Sequence, residues 1–304
     1  MRHALLCALM ACTSPLLAAG KGDIGTTTAP FLKLAPDPRA AGMGEAFAAT
    51  AEEASAAYFD PAGLAALDHV SVQLSQSFYL TNISYQYVGY AQPVSALFHE
   101  APKGLLLPQT EPAPDWGALA LSLLYVNEGS IDQYDKTGAP LGSFSPSDLA
   151  ATAAYGVRFD SLDLGVAGKY IQSKISNTAQ TVAADAGLRY HSTVYERPWT
   201  VSAGVRNVGG RLKYIHEADP LPAAFVLGNA IRPVDPVLVD LDVTVPNDNQ
   251  PYFSLGLEAT KALAGGMKGD LRMGYSTRDA DSGLNGFAGA AFGAGLTVAF
   301  CRID

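Results

Sequence analysis

From Val70 to the C terminus, apolar and polar residues alternate with a period of two. In "SVQLSQSFYL", Val72, Leu74, Phe78 and Leu80 share one face, and Ser71, Gln73, Ser75 and Ser77 share the other. This is the repeat of a strand with one apolar side. In "VLVDLDVTV", Val237, Val239, Leu241, Val243 and Val245 oppose Asp240, Asp242 and Thr244. "TVAADAGLRYH" sets Val182, Ala184, Ala186, Leu188 and Tyr190 against Asp185 and Arg189, and "YFSLGLEAT" sets Phe253, Leu255 and Leu257 against Ser254 and Glu258.

The pattern predicts about thirteen strands, near 70–80, 83–94, 116–127, 148–159, 162–175, 181–191, 199–208, 223–232, 236–245, 251–260, 269–277, 286–294 and 295–304. Most run about nine to twelve residues, longer than the usual globular strand and close to what a tilted strand needs to cross a bilayer. The connections alternate between long ("EGSIDQYDKTGAPLGSFSP", "GGRLKYIHEADPLP") and short ("DS", "PVDP"), as in an up-and-down barrel whose two rims face different compartments. The Pro-rich stretch Ser95 to Asp115 breaks that phase, standing where a short turn is expected.

Asp163, Lys169, Asp185, Arg189, Arg206, Asp240, Asp242, Glu258 and Arg272 all fall at the parity opposite the apolar face. In a transmembrane barrel that parity is the lumen; in a soluble sheet it is the solvated side. A basic residue facing lipid near midplane would cost about 2–4 kcal/mol. The inward parity is otherwise mostly small, with Tyr79 and Tyr90 expected among its few large groups.

Ahead of the strands lies a different kind of segment. "SAAYFDPAGLAAL", Ser55 to Leu67, is apolar, too irregular for a strand and too short to span a membrane as a helix. Its Pro61 and Gly63 suit compact turns that satisfy their own backbone.

The first 19 residues, "MRHALLCALMACTSPLLAA", have the form of a secretory signal peptide with cleavage expected near Ala19. Cys7 and Cys12 leave with it, so only Cys301 remains and no internal disulfide forms. The whole chain carries a formal net charge of −9. Clustered Lys and Arg are absent, which argues against nucleic acid. No later apolar run approaches about 18 residues, so helical spans are not expected.

Gly25 to Leu67 carries a resemblance. "FLKL" (Phe31 to Leu34), "RAAGMGEAF" (Arg39 to Phe47) and "YFDPAGLA" (Tyr58 to Ala65) resemble, in order and spacing, the N-terminal signature of the PorV/PorQ group of outer-membrane proteins, which are similar to the FadL long-chain fatty-acid transporters. "DLAATAAYGV", "GVAGKYIQSKI", "RNVGGRLKY" and "DPLPAAFVLGNA" also resemble blocks of that group, so the resemblance covers nearly the whole chain after the leader. It implies an all-β fold: an antiparallel transmembrane β-barrel of about fourteen strands, with an N-terminal plug of short helices and turns. The expected organisation is signal peptide 1–19, plug 20–69 and barrel 70–304.

The implied plug motif comprises Gly42, Met43, Gly44, Tyr58, Asp60, Pro61, Ala62 and Gly63, and the candidate lining for a hydrophobic ligand comprises Phe31, Leu32, Phe47, Phe59 and Leu64. Two positions depart from the family. Asp60 stands where Asn is usual, keeping the acceptor but losing the amide donor and adding charge; Glu45 stands where a small residue is common. The chain also stops at Asp304 where the family continues into one more strand, so a closing strand is expected beyond it.

No His-Glu-x-x-His, Cys pair, Asp-rich loop, Gly-x-Ser-x-Gly elbow or phosphate loop is present, so neither metal, cofactor nor enzyme activity is expected. Gly286, Gly289, Gly293 and Gly295 are expected to mark tight packing against the plug or a barrel kink. Two functions remain. One is passive uptake or binding of a hydrophobic small molecule at the outer membrane of a Gram-negative-type bacterium, with membrane lipid around the wall. The other is a PorV-like part in a type IX-like secretion system, binding cargo or partner proteins through the loops at 128–147 and 209–222.

Overall fold

The computed structural model describes residues 24–79, 83–98, 116–278 and 287–304. The expected leader, most of the Ser95 to Asp115 insertion and Gly286 lie outside the described residues. The strands are β1 Ser71–Phe78, β2 Ser84–Pro93, β3 Ala118–Asn127, β4 Ile131–Tyr134, β5 Pro140–Phe144, β6 Ser147–Phe159, β7 Leu162–Lys174, β8 Thr178–Val194 and β9 Arg197–Gly209. They continue with β10 Arg211–Lys213, β11 Ala218–Pro220, β12 Ala224–Val234, β13 Val237–Pro246, β14 Tyr252–Ala262, β15 Lys268–Ser276, β16 Ala290–Val298 and β17 Cys301–Ile303.

The fold is all-β and barrel-like. One antiparallel 13-stranded sheet runs in the order β1-β2-β3-β6-β7-β8-β9-β12-β13-β14-β15-β16-β17, with β1 and β17 at its edges. β4–β5 and β10–β11 pair as separate hairpins, so the stretches 128–147 and 209–222 are not plain loops. The first hairpin is turned by Asp135, whose Oδ1 accepts from the N–H groups of Thr137 and Ala139 at 2.8 Å each, an Asx-type turn that fixes the return. The C-terminal end also differs from expectation. Alternation runs unbroken through Gly293 and Gly295, and the hairpin turn falls at Ala299, which takes a left-handed φ of 54°.

The two faces of the sheet are inverted relative to a water-soluble protein. Asp163 and Asp240 have no exposed surface, whereas Leu121 on the opposite face is 62% exposed. Of the nine charges assigned to the inner parity, eight are buried and Arg206 is half-buried. The tyrosines require a correction: Tyr85 and Tyr87 occupy the inner face and are buried, while Tyr90 points outward beside Val88 and Tyr79 is partly exposed beyond β1. No helix among the described residues is long and apolar enough to cross a membrane.

The concave face is filled by the N-terminal segment, built from short turns at Pro30–Lys33, Pro38–Gly42, Glu53–Ser55, Ala56–Phe59 and Pro61–Ala66. One stretch of it leans on both ends of the sheet: the Pro36 carbonyl accepts from Ser75 Oγ of β1, and the turn Pro38–Gly42 lies on β16.

Candidate functional site

Pro61 fixes the first position of the turn Pro61–Ala66, and Asp60, extended just before it, caps that turn by accepting from Ala62 N–H at 2.9 Å. The second carboxylate oxygen of Asp60 accepts from Arg189 Nε at 3.1 Å, and Arg189 Nη2 donates to the Ala48 carbonyl at 2.7 Å. The charge that Asp60 adds relative to an asparagine is therefore met by a buried guanidinium. Burial pushes the Asp60 carboxyl up, and Arg189 with the Ala62 N–H opposes it. Gly63 is required here by space: a Cβ would overlap the Ala51 carbonyl and lie 2.6 Å from Arg189 Nη1.

The wall is shaped to receive this motif. Gly156, Gly165, Gly187 and Gly204 are successive register partners across β6, β7, β8 and β9. A Cβ on Gly156 would come 2.6 Å from the Pro61 carbonyl, one on Gly165 would overlap Pro61 and Ala62, and one on Gly187 would overlap the Asp60 carboxylate. The motif thus lies directly on backbone. On the far side of the curl, Met43 fills the space over Gly256 and Gly274, which are also register partners, and Gly42 packs on Gly293 with 3.0 Å to a would-be Cβ. Gly44 has φ 64° and backs onto the Tyr275 amide. Of the C-terminal glycines, Gly293 packs against the plug; Gly295 instead faces Asp304 and Arg272, and Gly289 abuts Ser276. The glycine track was legible only once the inner parity of each strand was known.

Inner-face charges hold the rest of the plug. Asp242 accepts from the N–H groups of Phe47 and Ala48 at 2.9 and 2.8 Å, and Asp240 accepts from Thr50 Oγ1 at 2.6 Å. Arg39 donates through Nε and Nη2 to Glu258 at 2.7 and 2.6 Å, and Arg272 Nε joins the same carboxylate at 2.6 Å. Lys169 bridges Asp185 at 2.6 Å and Asn207 Oδ1 at 2.8 Å. Tyr58 turns its hydroxyl to the Leu32 and Leu34 carbonyls at 2.8 and 2.9 Å; burial pushes its phenol up, which keeps it a donor.

The candidate apolar lining is buried throughout: Phe31, Leu32, Phe47, Phe59 and Leu64 belong to one core, with Phe59 edge-on to Phe47 at 5.1 Å. Leu32 and Phe59, together with Tyr58, border a cavity of about 70 Å³, whereas Phe31, Phe47 and Leu64 do not. The cavity lies between plug and wall toward the rim that carries the longer connections, where Lys33, Glu45, Arg206, Asp248 and Arg278 also line it. Glu45, in the left-handed region at φ 67°, pairs with Arg278 at 2.6 Å, and Lys33 pairs with Asp248. A separate recess of about 770 Å³ indents the outward face, bordered by Leu121, Leu123, Tyr170 and Val182 over a floor of Ala151, Ala153 and Gly168.

Among the described residues no group of three or more His, Cys, Asp or Glu is placed to hold a metal ion. No protein-family model matches the chain, and no curated protein matches it.

Proposed function

We propose that this chain is a plugged β-barrel of the outer membrane of a Gram-negative-type bacterium, serving passive uptake or binding of hydrophobic small molecules in a FadL-like manner. The observation that carries the reading is the inversion of polarity, with ionic groups sealed inside and a belt that includes Leu121, Val166, Leu271 and Phe292 exposed outside. In water so large an apolar surface would drive association; in lipid it is the face a spanning barrel needs. The recess lined by Ala151, Ala153 and Gly168 supports an apolar ligand, because most of its other lining residues, among them Leu121, Leu123 and Val182, are apolar and it offers a hydrocarbon chain a groove.

A second reading, a PorV-like role in handling secreted proteins, is favoured by the tightly filled lumen and by the β4–β5 hairpin. Ile131, Tyr134 and Leu141 of that hairpin are all exposed.

The test is purification from outer membranes in mild detergent, with mass spectrometry of whatever co-purifies and a Pro61→Ala variant alongside. A defined apolar molecule, reduced when the plug turn is disturbed, supports uptake. A stoichiometric protein in its place moves the assignment to the secretion role, and recovery only from the soluble fraction overturns both.

A further inference from the structure

The cavity beneath the longer-loop rim has an unbalanced charge. Among the described residues, three cations line it, Lys33, Arg206 and Arg278, against two carboxylates, Glu45 and Asp248. Four of these five are matched: Arg278 Nη1 lies 2.6 Å from Glu45 Oε2, and Lys33 is paired with Asp248. Arg206 has neither a hydrogen bond nor an ion pair with any described residue. It is half-buried at the inner parity of β9, opposite Ala224 of β12, so part of its surface is withdrawn from water.

A guanidinium held in a partly dry cavity without an acceptor is costly, because its donors give up water without replacement. Every other inner-face cation described above avoids that cost through a carboxylate. Around Arg206 the cavity is suited to bring one in. Asn249 of the lining accepts from Gln250 N–H through Oδ1 at 2.8 Å, which leaves its amide NH₂ as a further donor. The volume of about 70 Å³ is room for about five water-sized groups by the same measure. That admits acetate or phosphate and excludes a long acyl chain.

We propose that Arg206 is the centre of a binding site for one small oxyanion, a carboxylate or phosphate group, lodged between plug and wall. The planar fork of the guanidinium gives two parallel donors to such a group, and among the described residues lining the cavity it is the cation without an ion pair, with the carboxylates of Asp60 and Asp242 acting on it at longer range. The site takes a polar ligand of a different class from the apolar molecule proposed above, and it depends on the cavity alone rather than on the lipid-facing belt.

The test is calorimetric titration of the purified full chain in detergent at low ionic strength with acetate, inorganic phosphate and the neutral isostere acetamide, for the parent chain, Arg206→Gln and Arg206→Lys. The parent chain is expected to bind acetate or phosphate, and which of the two binds tighter identifies the group. Acetamide is expected not to bind. Affinity is expected to fall at least about tenfold in Arg206→Gln, the scale of a lost charge-assisted contact, and by less in Arg206→Lys, which keeps the charge without the fork. Should Arg206→Gln fail to fold, the acetate and acetamide comparison and the lysine variant still decide. Equal binding of acetamide and acetate, unchanged affinity in a folded Arg206→Gln, or no anion binding up to about 50 mM, well beyond the weak range of a single specific contact, would each overturn the site. None of these results bears on whether the outward face meets lipid.

Discussion

Arg189 reaches from β8 into the plug with one hydrogen bond to the Asp60 carboxylate and another to the Ala48 carbonyl, and its side chain is 2% exposed. Arg189→Met removes both bonds and leaves a buried acid alone, a loss on the order of 3–5 kcal/mol. Asp60 retains the option of taking up a proton, so Asp60→Asn combined with Arg189→Met is expected to cost less than the two single changes together. Denaturant unfolding of the parent, the two single variants and the double variant in detergent reads that coupling, and simple additivity would contradict a direct coupling of Arg189 and Asp60. The glycine track gives a matched comparison. Gly187→Ala forces a Cβ into the Asp60 carboxylate, for about 1–3 kcal/mol of overpacking. Gly168→Ala, on the outward side with no heavy atom within 4 Å of its would-be Cβ, is expected to stay within about 0.5 kcal/mol of the parent. At this scale the sequence was informative about residue type and silent about partners. Asp60 and Glu45 stand out only against the pattern the chain resembles, and their cations, Arg189 and Arg278, lie more than a hundred positions away. Nothing local in the chain joins them.

At the level of elements, period-two alternation was enough to place the first eleven strands of the main sheet, because a strand with one ionic and one apolar face admits only one way of curling around a core. It failed where alternation carries no such contrast. The glycine-rich run at Gly293 and Gly295 looked like a break and is the middle of β16; β4, β5, β10 and β11 are short and surrounded by polar residues, so they merged with loops. Tyr79 and Tyr90 misled because tyrosine suits either face, with a polar tip on an apolar body. The outward assignment itself predicts a mutational asymmetry. Leu121→Arg, on the exposed face of β3, is expected to lower the folding yield into lipid vesicles by a factor corresponding to about 2–4 kcal/mol. In a water-soluble sheet the same change would be neutral or would improve solubility, so vesicle refolding followed by gel mobility separates the two.

For the whole molecule, the plug and the wall are one structure. Two turns of the plug, at Pro38–Gly42 with Met43 and at Pro61–Ala66, lie on glycines of the sheet, and ionic groups from β7, β8, β13, β14 and β15 fix its backbone or close the space around it. That arrangement leaves the outward face of the sheet as the surface whose environment defines the protein, and the environment proposed for it is lipid. The most direct measurement attaches spin labels one at a time at Leu121, Val166 and Leu255 on the outward face and at Thr137 in the β4–β5 turn, in a Cys301→Ser background reconstituted into vesicles. Relaxation by oxygen, which partitions into hydrocarbon, is then compared with relaxation by a water-soluble nickel complex. The three outward labels are expected to respond to oxygen and to be shielded from nickel, while Thr137 shows the reverse. Outward labels as open to nickel as Thr137 would contradict a lipid environment.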